Sequence, residues 1–192
     1  YKDGLCLNGL GRLVRTYPHV PGVDLAGTVT ASRDDRFAAG DRVVMNGFRS
    51  GEIRWGGYAT RASGKADWMV RLPDGMSTRH SQMLGTAGFT AMQAIMRLEA
   101  NGMTPDGGEV LVTGAGGGVG SVATVLLATR GYQVAAMTGR AEIADYLTGL
   151  GASRIVSRDE MQDDPGKVME SGVWGGCIDC VGGQILARAI KQ

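Results

Sequence analysis

The chain is predicted to be an α/β protein in two parts, a mostly-β first part followed by a doubly wound parallel sheet. Three observations predict this. Short β-like runs punctuated by glycine and aspartate extend to about residue 72. From residue 109 strands and helices alternate regularly, and a glycine-rich turn joins the first strand of that alternation to its helix. With 192 residues and 43% hydrophobic content, the chain can bury a core in one large or two small domains.

In the first part the β-like runs are Thr28-Val29-Thr30, Arg42-Val43-Val44-Met45 and Tyr58-Ala59-Thr60. The punctuation changes at Leu72-Pro73-Asp74-Gly75-Met76-Ser77, where Pro and Gly make a turn and Ser77 is suited to cap a following helix. The expected domains are therefore residues 1–75 and 76–192. Glu109 to Thr113 is a compact apolar strand, and Val119, Val122, Ala123, Leu126 and Leu127 then recur at helical spacing up to Gly131. Tyr132 to Thr138 is a second strand, Ala141 to Leu150 a second helix stopped by Gly151, and Arg154-Ile155-Val156 a third strand. A helix over Asp159 to Glu170, a fourth strand over Cys177 to Val181 and a helix from Gln184 to Lys191 complete the pattern. Four strands are fewer than the about six of a full doubly wound domain. The chain opens without an initiator methionine and stops directly after a helix-like segment, so it reads as a fragment.

Composition narrows the partners. Twenty basic residues face nineteen acidic ones, for a net charge of +1 without blocks of like sign, which disfavours nucleic-acid and membrane surfaces and leaves a small molecule as the expected ligand. Three cysteines, an odd number with no apolar leader, point to a reducing compartment, best matched by the cytoplasm. No apolar run approaches the roughly 20 residues that span a bilayer.

The turn Gly114-Ala-Gly116-Gly117-Gly118-Val119-Gly120 lies between a predicted strand and a predicted helix, the context that a phosphate-binding loop requires. It fits G-x-x-G-x-x-G through Gly114, Gly117 and Gly120, because Val119 breaks the stricter G-x-G-x-x-G. Glycines let the backbone approach a diphosphate, and the helix start adds N–H donors and a positive dipole end. An acid at the end of the second strand would bond the ribose 2′-hydroxyl of NAD, but the residues there are Thr138-Gly139-Arg140. An arginine fork and a threonine hydroxyl suit a 2′-phosphate instead, so the expected cofactor is NADPH. In a 3-2-1 strand order Arg158, just past the third strand, reaches the same phosphate.

Tyr1-Lys2-Asp3, Pro21-Gly22-Val23-Asp24-Leu25-Ala26-Gly27, Trp55-Gly56-Gly57, Gly85-Thr86-Ala87-Gly88-Phe89-Thr90-Ala91, the Gly114–Gly120 loop, Thr138-Gly139-Arg140 and Arg158-Asp159-Glu160 occur in this order. The set resembles the zinc-free quinone-oxidoreductase branch of the medium-chain dehydrogenase/reductase superfamily, and within it the NADPH-dependent acryloyl-CoA reductases. The resemblance implies a GroES-like catalytic domain lacking its N-terminal strands, then a Rossmann domain lacking its last strands and, with them, a homodimer surface. It also implies cofactor contacts at Tyr1, Gly116, Gly117, Gly118, Val119, Thr138, Gly139, Arg140 and Arg158. Tyr1 stands where zinc-dependent relatives have their first cysteine ligand, and Val23-Asp24 where they have His-Glu, so no metal is expected.

The implied reaction is hydride transfer to the β-carbon of an acyl-CoA thioester, acryloyl-CoA to propionyl-CoA. Quinone reduction and non-catalytic NADPH binding are the alternatives, and the fragment alone is expected to be inactive. Negative charge develops on the thioester carbonyl oxygen in such a reduction, and without a metal a hydrogen-bond donor must answer it. Tyr1 is the catalytic candidate, either as that donor or as a contact to the nicotinamide ribose. Thr86 either lines the nicotinamide pocket or caps a helix, and Trp55 either walls the substrate cleft or packs its domain. Cys177-Ile178-Asp179-Cys180 has the spacing of half a zinc site or a redox pair. The predicted strand would turn the two thiols to opposite faces, no second pair exists, and two buried thiols are expected.

Overall fold

The computed structural model describes residues 1–162, 166 and 168–192. The chain divides into two compact units, Tyr1–Thr86 and Ala87–Gln192.

In the first unit a short helix, α1 (Lys2–Leu7), precedes an antiparallel sheet of β1 (Asp24–Thr28), β2 (Arg42–Asn46) and β3 (Val70–Arg71), in that spatial order. Register runs from Asp24 opposite Asn46 to Thr28 opposite Arg42, and Val43 and Met45 alternate inward to a small core with Leu72. The first strand thus lies on the Pro-Gly-x-Asp motif rather than on Thr28-Val29-Thr30, which only its last residue enters.

The expected strand at Tyr58-Ala59-Thr60 does not form. The Gly57 and Tyr58 N–H groups donate to the carbonyls of Gly22 (3.0 Å) and Pro21 (3.0 Å), and Ala59 N–H turns back to Gly57 (2.8 Å), which leaves no ladder to extend. These bonds hold the Pro21-Gly22 and Trp55-Gly56-Gly57 segments backbone to backbone. A side chain at Gly57 would fall onto the carbonyl of Asp24, so only glycine fits there.

Helix α2 (Thr78–Ala100) begins where expected: Ser77 Oγ accepts the His80 N–H (3.1 Å) as an N-cap. It is interrupted at Gly85 (φ 50°, ψ −158°), so its helical stretches are residues 78–84 and 86–100.

The second unit is a four-stranded parallel sheet, β4 (Glu109–Val112), β5 (Val134–Thr138), β6 (Arg154–Ser157) and β7 (Trp174–Ile178), in the order β6-β5-β4-β7. Between the strands run α3 (Gly118–Thr129), α4 (Ala144–Gly149) after a single 3₁₀ turn at Ala141–Ile143, and α5 (Arg158–Gln162). Helix α6 (Gly183–Lys191) follows β7. Strand alternation sorts the core onto two faces. Val110, Val112, Val134 and Ala136 meet Ile95, Leu127 and Leu147 on one side, and Leu111, Ala135, Met137 and Val156 meet Met161, Ile185 and Ala189 on the other. All five residues of β5 are buried, as a central parallel strand covered on both faces must be.

Helix α4 stops at Gly151 (φ 101°) in a Schellman arrangement: Ala152 N–H donates to Leu147 and Gly151 N–H to Thr148. Two expected elements move. The fourth strand is Trp174–Ile178, earlier than Cys177–Val181, because Gly176, Cys177 and Ile178 align with Val110, Leu111 and Val112. It ends where the Asp179 carboxylate takes the N–H groups of Val181 (3.3 Å) and Gly182 (2.8 Å) in an Asx turn. The helix expected over Asp159–Glu170 spans only Arg158–Gln162; residues 163–165 and 167 of that expectation lie outside the described residues.

Candidate functional site

The site assembles at the carboxyl ends of β4 and β5, where open parallel sheets bind ligands. Strand β4 runs into Thr113 and the loop beginning at Gly114 (φ 60°), and Gly117 N–H closes the turn on Gly114 O (2.9 Å). Gly120, on the first turn of α3, packs so close to the strand that an added Cβ would lie 2.5 Å from Gly114 O. That is the tight strand-to-helix approach for which the third glycine of such loops is needed. Gly117 is the N-cap of α3 and no side chain caps the turn, so the first N–H groups of the helix remain for an outside acceptor.

Thr138, buried at the end of β5, accepts the Arg140 N–H on its hydroxyl (3.1 Å), which shapes the turn that projects Arg140. The Arg140 guanidinium reaches back to Gly116 O (3.4 Å). Arg158, the first residue of α5, lies against the backbone of Gly139: an added Cβ there would sit 2.9 Å from its Nε. Gly116, Gly117, Gly118, Val119, Thr138, Gly139, Arg140 and Arg158 therefore come together in the second unit. Neither arginine has a carboxylate partner among the described residues, and both side chains are exposed. Two unneutralised cations thus flank the place where an acid was absent from the sequence.

Two supports of this site escaped the sequence reading. Ser157 and Glu160 form a reciprocal capping box: Glu160 Oε1 accepts the Ser157 N–H (2.8 Å) and Ser157 Oγ accepts the Glu160 N–H (3.2 Å), which fixes Arg158 between them. The Ser-x-x-Glu spacing was visible. These bonds hold the Glu160 carboxyl below its ordinary range, the backbone bond from Ser157 first. The second support is Thr113, fully buried, whose hydroxyl donates to Asp179 Oδ1 (2.6 Å) and accepts the Cys180 N–H (2.9 Å). It ties the loop after β7 to the start of the glycine loop, and no local pattern signals a pair 66 residues apart.

Cys177 and Cys180 are not two thiols buried on one strand. Cys177 is half-buried in β7, whereas Cys180 lies beyond its end and is exposed. Burial, with the nearby Asp179 charge, pushes the Cys177 thiol up to about 12 and raises Cys180 as well. Among the described residues no group of three His, Cys, Asp or Glu side chains is placed to hold a metal ion.

The remaining candidates belong to the first unit. Tyr1 opens α1 through its carbonyl, which accepts Leu5 N–H (3.0 Å), and its phenol is fully exposed. Lys2 pairs with Glu52 (2.8 Å) and Asp3 accepts the Val23 N–H (3.0 Å), so this motif ties α1 to the loops around it. Trp55 is two-thirds exposed and does not pack the interior of its unit. Thr86 is held by Asp24, to whose carboxylate its N–H (2.9 Å) and hydroxyl (2.5 Å) both donate.

A small antiparallel sheet joined to a parallel sheet that carries a glycine loop defines a dinucleotide-binding α/β scaffold. Residues 2–74 match the alcohol dehydrogenase GroES-like domain. The chain belongs to the medium-chain dehydrogenase/reductase superfamily. It is 59% identical over its whole length to acrylyl-CoA reductase AcuI of Ruegeria pomeroyi, covering 58% of that protein. The crystal structure of the yhdH oxidoreductase of Salmonella enterica in complex with NADP matches the whole chain at a TM-score of 0.96 and 51% identity, with 59% of that chain covered. The Bacillus subtilis protein yhfP, crystallised with NAD bound, matches at 0.94 and 47%, with 58% covered. The chain thus spans a little under three fifths of the length of these relatives. Among the described residues no helix is long and apolar enough to cross a membrane.

Proposed function

We propose that the protein uses NADPH to reduce the activated double bond of a small acyl-CoA thioester, acryloyl-CoA to propionyl-CoA. One observation carries the cofactor half of this reading: Arg140 and Arg158, without acidic partners among the described residues, converge on Gly116 and Gly139 beside the start of α3, which no side chain caps. Charge and geometry there fit a 2′-phosphorylated dinucleotide, and the substrate half is supported by the similarity to a relative named for acrylyl-CoA.

When bound, NADPH supplies the hydride that adds to the β-carbon. The chain's own residues do the rest. Backbone N–H groups at Gly116, Gly117, Gly118 and Val119 receive the diphosphate, with the helix dipole favouring its charge. Arg140 and Arg158 hold the 2′-phosphate, while Thr138 and Gly139 form the turn that aims Arg140. Tyr1 contacts the nicotinamide ribose or donates its phenolic proton to the charge that grows on the thioester oxygen. No metal takes part. The acting form is placed in the cytoplasm as a homodimer, without nucleic-acid or membrane partners.

The test is NADPH oxidation by the natural full-length protein, treated with a chelator, against acryloyl-CoA, crotonyl-CoA and a simple quinone. Turnover of the thioesters in preference to the quinone is expected. Turnover of the quinone alone would replace this reading with quinone reduction, and turnover of none would leave an NADPH-binding protein.

A further inference from the structure

Within the first unit the loop after β2 builds an exposed aromatic platform that the proposed reaction does not use. Phe48 stacks on Trp68 with ring centroids 5.2 Å apart and planes 14° from parallel. Two cations lie over the same indole, Arg54 Cζ at 4.8 Å and Lys65 Nζ at 5.3 Å from its centroid. Arg54 also donates to Phe48 O (3.1 Å), so cation and ring are held together.

Three features separate this group from an ordinary solvated face. The turn is strained: Phe48 (φ 51°) and Arg49 (φ 60°) both occupy the left-handed region that glycine prefers, and Phe48 is 48% exposed there. The neighbouring charges are neutralised, with Arg49 on Glu52 (3.5 Å) and Asp67 on Arg36 (2.5 Å). Arg54 and Lys65 by contrast have no ion-pair partner among the described residues. The half-exposed Phe48 ring of this stack, beside two cations without an ion-pair partner among the described residues, offers the recognition chemistry of a phosphorylated purine nucleotide, the base stacking on Phe48 and the phosphate meeting the charges. A near-neutral chain with no other basic run gives an extended nucleic acid nothing further to follow.

We propose that Phe48, Trp68, Arg54 and Lys65 form a docking site for the 3′-phosphorylated adenosine diphosphate end of an acyl-CoA. This rests on the reading of the substrate as a CoA thioester. The site makes the handle of the substrate, rather than its short acyl group, the main source of affinity, as expected where the acyl group is only a few atoms and offers little to bind.

The experiment is calorimetric titration of the natural full-length protein, its own dinucleotide site filled with NADP⁺, with coenzyme A, 3′-dephospho-coenzyme A and pantetheine. Coenzyme A should bind at least about tenfold more tightly than the dephospho form, the value of one charge-assisted contact, and pantetheine weakest. The Arg54→Gln/Lys65→Gln variant should lose the preference for the 3′-phosphate, with NADPH affinity as the check that it is folded. Equal binding of coenzyme A and its dephospho form by the unmodified protein would overturn the proposal, as would an unchanged preference in the folded variant. Turnover reads the other hypothesis separately: the ratio of kcat/KM for acryloyl-CoA to that for acryloyl-pantetheine should fall about tenfold in the variant. Coenzyme A binding at this site without turnover of either thioester would refute the reductase reading and leave the docking site standing.

Discussion

The Asp24 carboxylate receives both the backbone N–H and the hydroxyl of Thr86, 62 residues further along the chain, at 2.9 and 2.5 Å, and Asn46 Nδ2 donates to it at 2.8 Å. It therefore anchors the residue that follows the break at Gly85. Hydrogen bonds to a charged acceptor contribute about 1.5–3 kcal/mol each after exchange with water. Asp24→Ala should lower unfolding stability by about 3 kcal/mol, and Asp24→Asn by less, because the amide oxygen keeps one acceptor. Urea denaturation that put Asp24→Ala within experimental error of the unmodified protein would sink this account.

Cofactor choice should follow the two arginines. Arg140→Ala and Arg158→Ala should each weaken NADPH binding about tenfold, one charge-assisted contact of roughly 1.4 kcal/mol, and leave NADH nearly untouched. Fluorescence titration with both cofactors measures this. Equal losses for NADPH and NADH would make the arginines structural, since Arg158 also covers the Gly139 backbone.

The capping box should report on pH. Because Glu160 is held below its ordinary range, its contribution is present above the unfolded carboxylate value of about 4.3 and disappears as pH falls through the lower folded value. The stability difference between the unmodified protein and Glu160→Ala should accordingly be seen at pH 7, at no more than about 0.5 kcal/mol for so exposed a group, and vanish toward pH 3. Ser157→Ala removes the other half of the box and should cost about 1 kcal/mol. A Glu160→Ala difference that grew on acidification would contradict the assigned bonds.

Thiol reactivity should separate the cysteines by exposure. Cys180, open to solvent, should be alkylated by iodoacetamide at pH 7.5 well before Cys177, whose thiol is pushed up to about 12, and before buried Cys6. Peptide mapping by mass spectrometry after timed labelling would reveal the order. Labelling of Cys177 first would mean that β7 opens readily.

Much of the helical and parallel-sheet region was legible because its signals are local. Ser77 and Gly151 act within one helical turn, and the glycine loop is read between two apolar runs. The two misplaced strands have non-local causes. Trp174-Gly175-Gly176 lacks the composition of a strand, yet pairing with β4 makes it one, and Tyr58-Ala59-Thr60 has that composition but gives its N–H groups to a crossing segment. Ser157-x-x-Glu160 carries its capping signal within one helical turn.

Order along the chain was enough to establish the strand-and-helix alternation, the glycine turn and the missing acid after β5, because periodicity and capping depend on residues within about four positions of one another. Tertiary structure alone decided that Asp24 would anchor Thr86, that Gly57 would lie against Asp24, that Thr113 would hold Asp179 and that Arg158 would rest on Gly139. Each of these joins segments at least nineteen residues apart, since Arg158 is nineteen positions beyond Gly139, the nearest such pair. Their geometry follows from how sheets and loops pack, which no short window of residues contains.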